Sequence, residues 1–233
     1  MLRRLAVASV LLLLAAPAVR AQNLVDICRK AIRPPLGGWA RYRFEGGRES
    51  GATVRMAIVG SESHGDTTYL WVEVAAHGFR MGREEGGDTL SLINKMLVPG
   101  IGPGMASPRA MVMKFGSLPA MEMPMGQPGE LRLPPGSDAL RACADAKAVG
   151  WESVTVPAGT FRALHVQNAE GRGDSWVVPD MPFAIVKVAT GRDAGDMVLV
   201  SHGMGARSEI TETPQPFNPA AFAQLMMQQR QHH

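Results

Sequence analysis

The most constraining feature of this sequence is a series of short segments in which apolar and polar residues alternate. Six of these segments follow Gly150, and they cover residues 152–156, 160–167, 175–178, 184–189, 197–202 and 207–212. The breaks between them contain turn-forming residues, such as Pro157-Ala158-Gly159. Short strands joined by tight turns usually pair with their chain neighbours in the antiparallel sense. The second half of the chain is therefore predicted to form an antiparallel sheet.

The first half of the chain also starts with alternating runs, at residues 39–45, 54–58 and 67–74. Because Gly65-Asp66 is a good turn signal, these runs predict three antiparallel strands in a meander. The next segment, 88–97, has apolar residues at helical spacing and ends before Pro99-Gly100, so it predicts a short helix lying against the sheet.

The middle of the chain is more irregular. Met111, Met113 and Phe115 alternate as in a strand, whereas residues 118–135 are rich in Pro, Met and Gly and predict irregular structure or an edge strand. About ten strands must curl or close, because open twisted sheets rarely exceed roughly ten strands. We therefore predict a mainly β (α+β) fold: a curved antiparallel sheet, or open half-barrel, interrupted by two or three short helices.

The N-terminal residues 1–21 resemble a secretory signal peptide. Two arginines precede an apolar run, and a small residue stands at the expected cleavage point. The remaining chain predicts one curved-sheet domain at 22–217 and a C-terminal helical tail at 218–233. It contains no apolar stretch near the roughly 18 residues of a membrane span, so no transmembrane segment is expected after cleavage.

The net charge of the chain depends on the predicted signal peptide. Arg3, Arg4 and Arg20 belong to the 24 basic residues, so the rest of the chain would carry 21 basic and 21 acidic residues. This balance gives no support to nucleic-acid binding or to a polybasic membrane surface. The expected location is periplasmic or secreted.

Only two cysteines occur, Cys28 and Cys143, each in a short segment of helical pattern. In an oxidising compartment an even number of cysteines favours a disulfide. This disulfide would close a loop of about 115 residues and stabilise the fold by about 4–5 kcal/mol. Two buried free thiols are the alternative. A catalytic cysteine is disfavoured, because the sequence has no CxxC motif.

Methionine is unusually frequent, with 15 residues in the chain. Met121, Met123 and Met125 would point to one side of an extended segment. Thioether sulfur suits Cu(I), and Met113, His202 or Met204 could add a ligand. The alternative is that flexible methionines fill or cover an irregular apolar space. The sequence leaves both interpretations open and favours the second.

Residues 152–166, ESVTVPAGTFRALHV, resemble a V-x-V-P-A-G-x-F-x-A-x-x-V hairpin found in exported bacterial proteins of uncharacterised domain families. Those families continue with an aromatic strand ending in Pro and a strand leading to a Lys, as residues 176–179 and 185–187 do here. They are similar in fold to the periplasmic lipoprotein carriers LolA and LolB, which are open β-barrels with helices in the mouth. The resemblance covers residues 152–188 and implies a LolA-like fold. It implies little about function, because the hairpin is a folding signature.

Motifs for catalysis are missing from the sequence, which contains no GxSxG elbow, Ser-x-x-Lys, HExxH or phosphate-binding loop. The chain is therefore predicted to be no enzyme and to need no cofactor. The expected partner is an apolar small molecule or lipid held in the concave face of the sheet. The predicted lining residues are Val54, Met56, Leu70, Val72, Met111, Met113, Phe115, Met123 and Trp176.

Two other functions stay open at this point. One is a periplasmic Met-rich copper-binding protein that uses Met121, Met123 and Met125. The other is a ligand-free domain that interacts with envelope proteins through a packed core.

Overall fold

The computed structural model describes residues 34–80, 89–99, 108–124, 145–167, 173–190, 195–220 and 222–223. Within these residues, twelve strands form one sheet in the order β12-β6-β5-β4-β3-β2-β1-β11-β10-β9-β8-β7. Neighbouring strands are antiparallel, except that β12 pairs with β6 in parallel. The strands are β1 (Trp39–Glu45), β2 (Thr53–His64), β3 (Thr67–Arg80), β4 (Thr89–Pro99), β5 (Ala110–Phe115), β6 (Met121–Glu122), β7 (Lys147–Val156), β8 (Gly159–Gln167), β9 (Asp174–Val177), β10 (Ile185–Ala189), β11 (Asp196–Gly203) and β12 (Gln215–Pro216).

The mainly β class and the meander of the first three strands are confirmed. The described strands number twelve where about ten were predicted. Helical structure among the described residues is limited to one turn near the C-terminal end, where the Phe222 amide donates to the Asn218 carbonyl over 2.9 Å. The predicted signal peptide and both cysteines lie outside the described residues.

The predicted helix at 88–97 is wrong, because its described residues, 89–97, form most of β4. The strand lies in the middle of the sheet between β3 and β5, and apolar side chains occupy both of its sides. When both faces of a strand are apolar, its apolar residues can also match helical spacing. Periodicity alone then does not distinguish a short buried strand from a helix. The two flanking strands decide between the two structures, because they pair with nearly the whole length of β4.

The predicted strand at 207–212 is also wrong. Residues 204–214 belong to no strand and run across one face of the sheet instead. We call this segment the outer-face cover. The predicted irregular region at 118–135 holds only the two-residue strand β6 in its described part, and residues 125–135 lie outside the described residues.

Strand pairing divides the side chains of β1–β5 into two faces, because residues directly opposite each other share a face. Tyr42 faces Val54 across the β1–β2 pair, and Val54 faces Ala76 across the next pair. We call the side that carries Tyr42 the inner face and the opposite side, which carries Arg55, the outer face.

The far end of the sheet curls back onto this structure. The β7–β8 hairpin carries the Val-Pro-Ala-Gly turn, and its Gly159 has a positive φ of 131°. The Ala158 amide donates to the Leu199 carbonyl in β11 over 3.2 Å, although β7 and β8 stand several strands away in the sheet order. Val156 is buried in one cluster with Tyr42 and Ile58 of the inner face. The hairpin tip therefore closes one end of the curved sheet.

Candidate functional site

The inner face of β1–β5 is apolar along its described length. Its strand positions carry aliphatic, Met, Phe, Tyr, small polar and Asn side chains, and none of them is Asp, Glu, Lys, Arg or His. The charged and histidine side chains of β1–β6 all lie on the outer face by the same pairing. They are Arg41, Arg43, Glu45, Arg55, Glu62, His64, Glu73, His77, Arg80, Lys95, Lys114 and Glu122.

Burial varies along both faces of β2 and β3, and the inner-face Ile58 has a relative exposure of 1%. On the outer face, Ala57, Glu73 and Ala75 each have a relative exposure of 0%. On the inner face, Met56 and Val72 are only half-buried. The inner face is therefore buried at Ile58 and half-buried around Met56 and Val72, and the outer face is covered around Glu73.

Most of the predicted lining residues share this inner face. The strand pairing places Val54, Met56, Leu70, Val72, Met111, Met113 and Phe115 on it, in β2, β3 and β5. Met123 follows β6 and packs against the buried cluster of Met96, Val98 and Met111. Trp176 lies in β9, where its ring stacks on His165 with the ring centroids 4.7 Å apart. It packs against the same core cluster as Met56, Leu70 and Val72.

Sequence reasoning missed the contribution of β4 to this face. Asn94 lies directly between Val74 and Met113 in the sheet, and Met96 lies between Val72 and Met111. The helix predicted at 88–97 leaves these residues off the predicted lining. Because their outer-face neighbours Ile93 and Leu97 are also apolar, no period-two alternation marks them in the sequence.

Two polar atoms of this apolar face have no hydrogen-bond partner. They are the Tyr42 hydroxyl and the Asn94 carbonyl oxygen, and they are the two such buried side-chain atoms among the described residues. Burial raises the pKa of the Tyr42 phenol well above its usual range, so the group is neutral. An unpaired buried polar group costs free energy, and each such group in a native structure calls for an explanation.

Methionines face one another at one end of the inner face. Met96 is directly opposite Met111, and Met113 is directly opposite Met121. The Met123 amide donates to the Met111 carbonyl over 2.9 Å, which fixes the backbone beside these pairs. Of the three methionines predicted as copper ligands, Met121 and Met123 are therefore close to this group. Met125 lies outside the described residues.

The outer-face cover is held by a buried carboxylate. Glu73 accepts hydrogen bonds from Arg55 Nη1 at 3.2 Å, from the Glu209 amide at 3.0 Å and from the Ser208 hydroxyl. Arg55 also donates to the Arg207 carbonyl over 3.0 Å. These contacts join β2 and β3 to the cover and explain how a charged side chain stays buried.

Apolar and ionic contacts extend this attachment along the cover. Ile210 is buried in a cluster with Ala75, Ile93, Val112 and Ala120. Farther along, Lys114 donates to Glu212 over 2.5 Å, and the Ala120 amide donates to the same carboxylate over 3.3 Å. The Lys114 hydrogen bond is the main reason that the pKa of Glu212 is held below its usual range.

The Glu212 contact predicts an acid-sensitive attachment of the cover. Because the folded state lowers the pKa of Glu212, the contact stabilises the protein above the ordinary Glu pKa and is lost as the pH falls through the lowered value. We expect Glu212→Gln to reduce the loss of stability between about pH 5 and about pH 3. Chemical denaturation across this range measures the effect. Glu122→Gln is the matched control, and an equal change in both variants would contradict the prediction.

A second polar cluster surrounds His165. Its Nε2 lies 2.9 Å from an Asp174 oxygen, and its Nδ1 lies 3.4 Å from Glu152. The Trp176 indole donates to Glu152, and Lys187 lies over the same ring at 5.3 Å. The contacts described for His165 include no hydroxyl or thiol that it could activate as a nucleophile. This arrangement is typical of a cross-strand ladder that fixes β7–β10.

The described residues contain no group of three or more His, Cys, Asp or Glu that is arranged to hold a metal ion. No helix among them has the length and apolarity to cross a membrane. The chain matches no protein-family model, and no curated protein is significantly similar to it.

Proposed function

We propose that this chain is a non-enzymatic, exported binding protein that holds a lipid or another apolar molecule against the inner face of its curved sheet. The segregation of charge supports this proposal most directly. The inner face of β1–β5 carries no charged strand residue in the described chain, and Met56, Leu70 and Val72 on it are half-buried. The outer face around Glu73 and Ala75 is covered by residues 204–214.

The energetics of such a site follow from the chemistry of its lining. Each buried CH₂ group of a ligand contributes about 0.8 kcal/mol, so an acyl chain of moderate length supplies ample driving force. Methionines such as Met56 and Met113 add adaptability, because the unbranched thioether side chain adjusts to irregular ligand shapes. The expected ligands therefore share a long apolar part.

Displacement of a fluorescent apolar probe tests the proposal. The full chain is titrated with N-phenyl-1-naphthylamine, and decanol or methyl decanoate is then added as a competitor. We expect saturable fluorescence enhancement that the competitors reverse. Absence of saturable binding by all three molecules would overturn the proposal and favour the ligand-free interaction domain.

A soft-metal site is the second candidate function, and the facing methionines favour it. Strand pairing sets Met113 opposite Met121 and Met96 opposite Met111. Opposed residues have Cβ atoms about 4.5–5.5 Å apart, so flexible thioethers from two strands can reach one ion. Thioether sulfur is a ligand type that selects Cu(I).

Native mass spectrometry with added Cu(I) tests this second candidate. We expect one bound ion in the parent protein and none in the Met113→Leu/Met121→Leu double variant. Each replacement should cost less than about 1.5 kcal/mol of stability, because Leu and Met have similar volumes. Met197→Leu, at a half-buried position of β11, is the matched control. Equal Cu(I) binding by the double variant would exclude these methionines as ligands.

A further inference from the structure

We propose that the ligand of the inner face is a neutral amphiphile whose polar group carries a hydrogen-bond donor, and that this donor binds at Asn94. A fatty amide and a fatty alcohol represent the class. This inference rests on the proposed function and adds the chemical nature of the polar end of the ligand.

Asn94 places a polar side chain within the apolar inner face. It lies in the centre of the sheet, directly between Val74 of β3 and Met113 of β5. Its carbonyl oxygen has no hydrogen-bond partner and is buried. Because an amide oxygen only accepts hydrogen bonds, the group that satisfies it must carry an N–H or O–H.

The surroundings of Asn94 allow a ligand to reach it. The side chain as a whole is half-buried, and so is Met113, which faces it. A methionine side chain has three rotatable bonds and moves aside easily. A ligand chain that lies along the inner face can therefore displace Met113 and place its polar end at the amide.

The charge pattern decides against an anionic ligand. The described inner-face positions of β1–β5 offer no Lys, Arg or His that could pair with a carboxylate or a phosphate. The nearby cations point to the other side of the sheet, where Arg55 is bound to Glu73 and Lys114 is bound to Glu212. Burying an unpaired charge against an apolar face is expensive, so a neutral polar group fits best.

The Tyr42 hydroxyl is a second polar group on the same face, and it is more deeply buried. It is buried without a partner, and the residue has a relative exposure of 0%. Three strand spacings of about 4.8 Å separate β1 from β4, so the two polar groups are far enough apart to interact with different parts of one extended ligand. Asn94 is the more accessible of the two residues, so the substitution is made there.

The test compares four ligands that share one chain length: decanamide, decanol, methyl decanoate and decanoate. Their dissociation constants are measured by displacement of N-phenyl-1-naphthylamine. For the parent protein we expect decanamide and decanol to bind at least about tenfold more tightly than methyl decanoate, because one buried hydrogen bond is gained. Decanoate should bind no better than methyl decanoate.

Asn94→Leu isolates the contribution of the hydrogen bond. We expect this variant to lose the roughly tenfold preference for the donor ligands over methyl decanoate. Its thermal stability should equal or exceed that of the parent, because an unsatisfied polar atom is removed. Lys95→Met, at the neighbouring position on the outer face, is the matched control and should keep the preference.

The outcomes separate the inference from the function on which it rests. If all four ligands bind without a donor preference, or if Asn94→Leu keeps the preference, the inference is overturned and the apolar site stands. Tighter binding of decanoate than of decanol would also overturn it. If none of the ligands displaces the probe and the probe itself does not bind, the proposed function fails.

Discussion

Replacing Glu73 by alanine is expected to lower the free energy of unfolding by about 3 kcal/mol, because it removes the main counter-charge of the largely buried Arg55. Glu73 has a relative exposure of 0%, and it is the sole buried polar or charged residue among those described. Its removal leaves Arg55 with one weaker carboxylate contact, at 3.4 Å to Glu209. It also leaves the Ser208 hydroxyl and the Glu209 amide without their acceptor.

Two further variants show whether the burial of Glu73 causes the expected loss of stability. Glu122→Ala also removes a glutamate from the outer face of a strand, but the side chain is exposed. We expect this control to change stability by less than about 0.5 kcal/mol. The Arg55→Met/Glu73→Leu double variant should be much less destabilised than the sum of its single changes, because neither charge is left unpaired.

Limited proteolysis shows whether Glu73 anchors the outer-face cover. Arg207 is exposed and its carbonyl accepts a hydrogen bond from Arg55, so trypsin cleavage after Arg207 reports release of the cover. We expect faster cleavage in Glu73→Ala than in Glu122→Ala under native conditions. A loss of stability below about 1 kcal/mol with unchanged cleavage would show that the ion pair does not hold the cover.

Replacing Val54 by aspartate is expected to weaken binding of an apolar probe at least about tenfold, because a carboxylate on the inner face must lose hydration when the ligand binds. Val54 lies between Tyr42 and Ala76 in the sheet, in the middle of the proposed lining. Since its side chain is half-buried, the loss of stability should stay near about 1 kcal/mol. Probe titration and chemical denaturation of the same sample separate the two effects.

The neighbouring Thr53→Asp variant is the control for this experiment. Thr53 is also half-buried, but it points to the outer face and lies opposite Arg43 and His77. Opposite charges across a strand pair are favourable, so we expect unchanged stability and unchanged probe affinity. Equal loss of binding in both variants, or in neither, would contradict the assignment of the ligand to the inner face.

The sequence predicts the inner face well where one side of a strand is apolar and the other is polar. In β3, Leu70 and Val72 alternate with Trp71 and Glu73, so the period-two signal is clear. In β4, the outer residues Ile93 and Leu97 are as apolar as the inner residues Leu92 and Met96. The alternation then disappears, and the segment around Asn94 fits helical spacing equally well.

The long-range structure of the site has no local signal in the sequence. Glu73 meets Ser208 and Glu209 from a segment about 135 residues away, and strand β1 pairs with β11 across a similar separation. These contacts follow from the order of strands in the sheet. Residues 207–212 have a strand-like pattern because the cover is extended and buries Ile210, yet no strand edge accepts them. Pattern alone cannot distinguish an extended cover from a strand.

Native mass spectrometry of the protein, purified after expression in a Gram-negative host, shows whether the inner face holds an apolar ligand. We expect a co-purifying neutral molecule of a few hundred daltons that is released on denaturation, and a reduced amount of it in Val54→Asp but not in Thr53→Asp. Denaturing spectra of the same sample also report whether Cys28 and Cys143 are joined, through the loss of two hydrogens. A bare mass in the parent protein, together with no saturable probe binding, would contradict the claim that the inner face holds an apolar ligand.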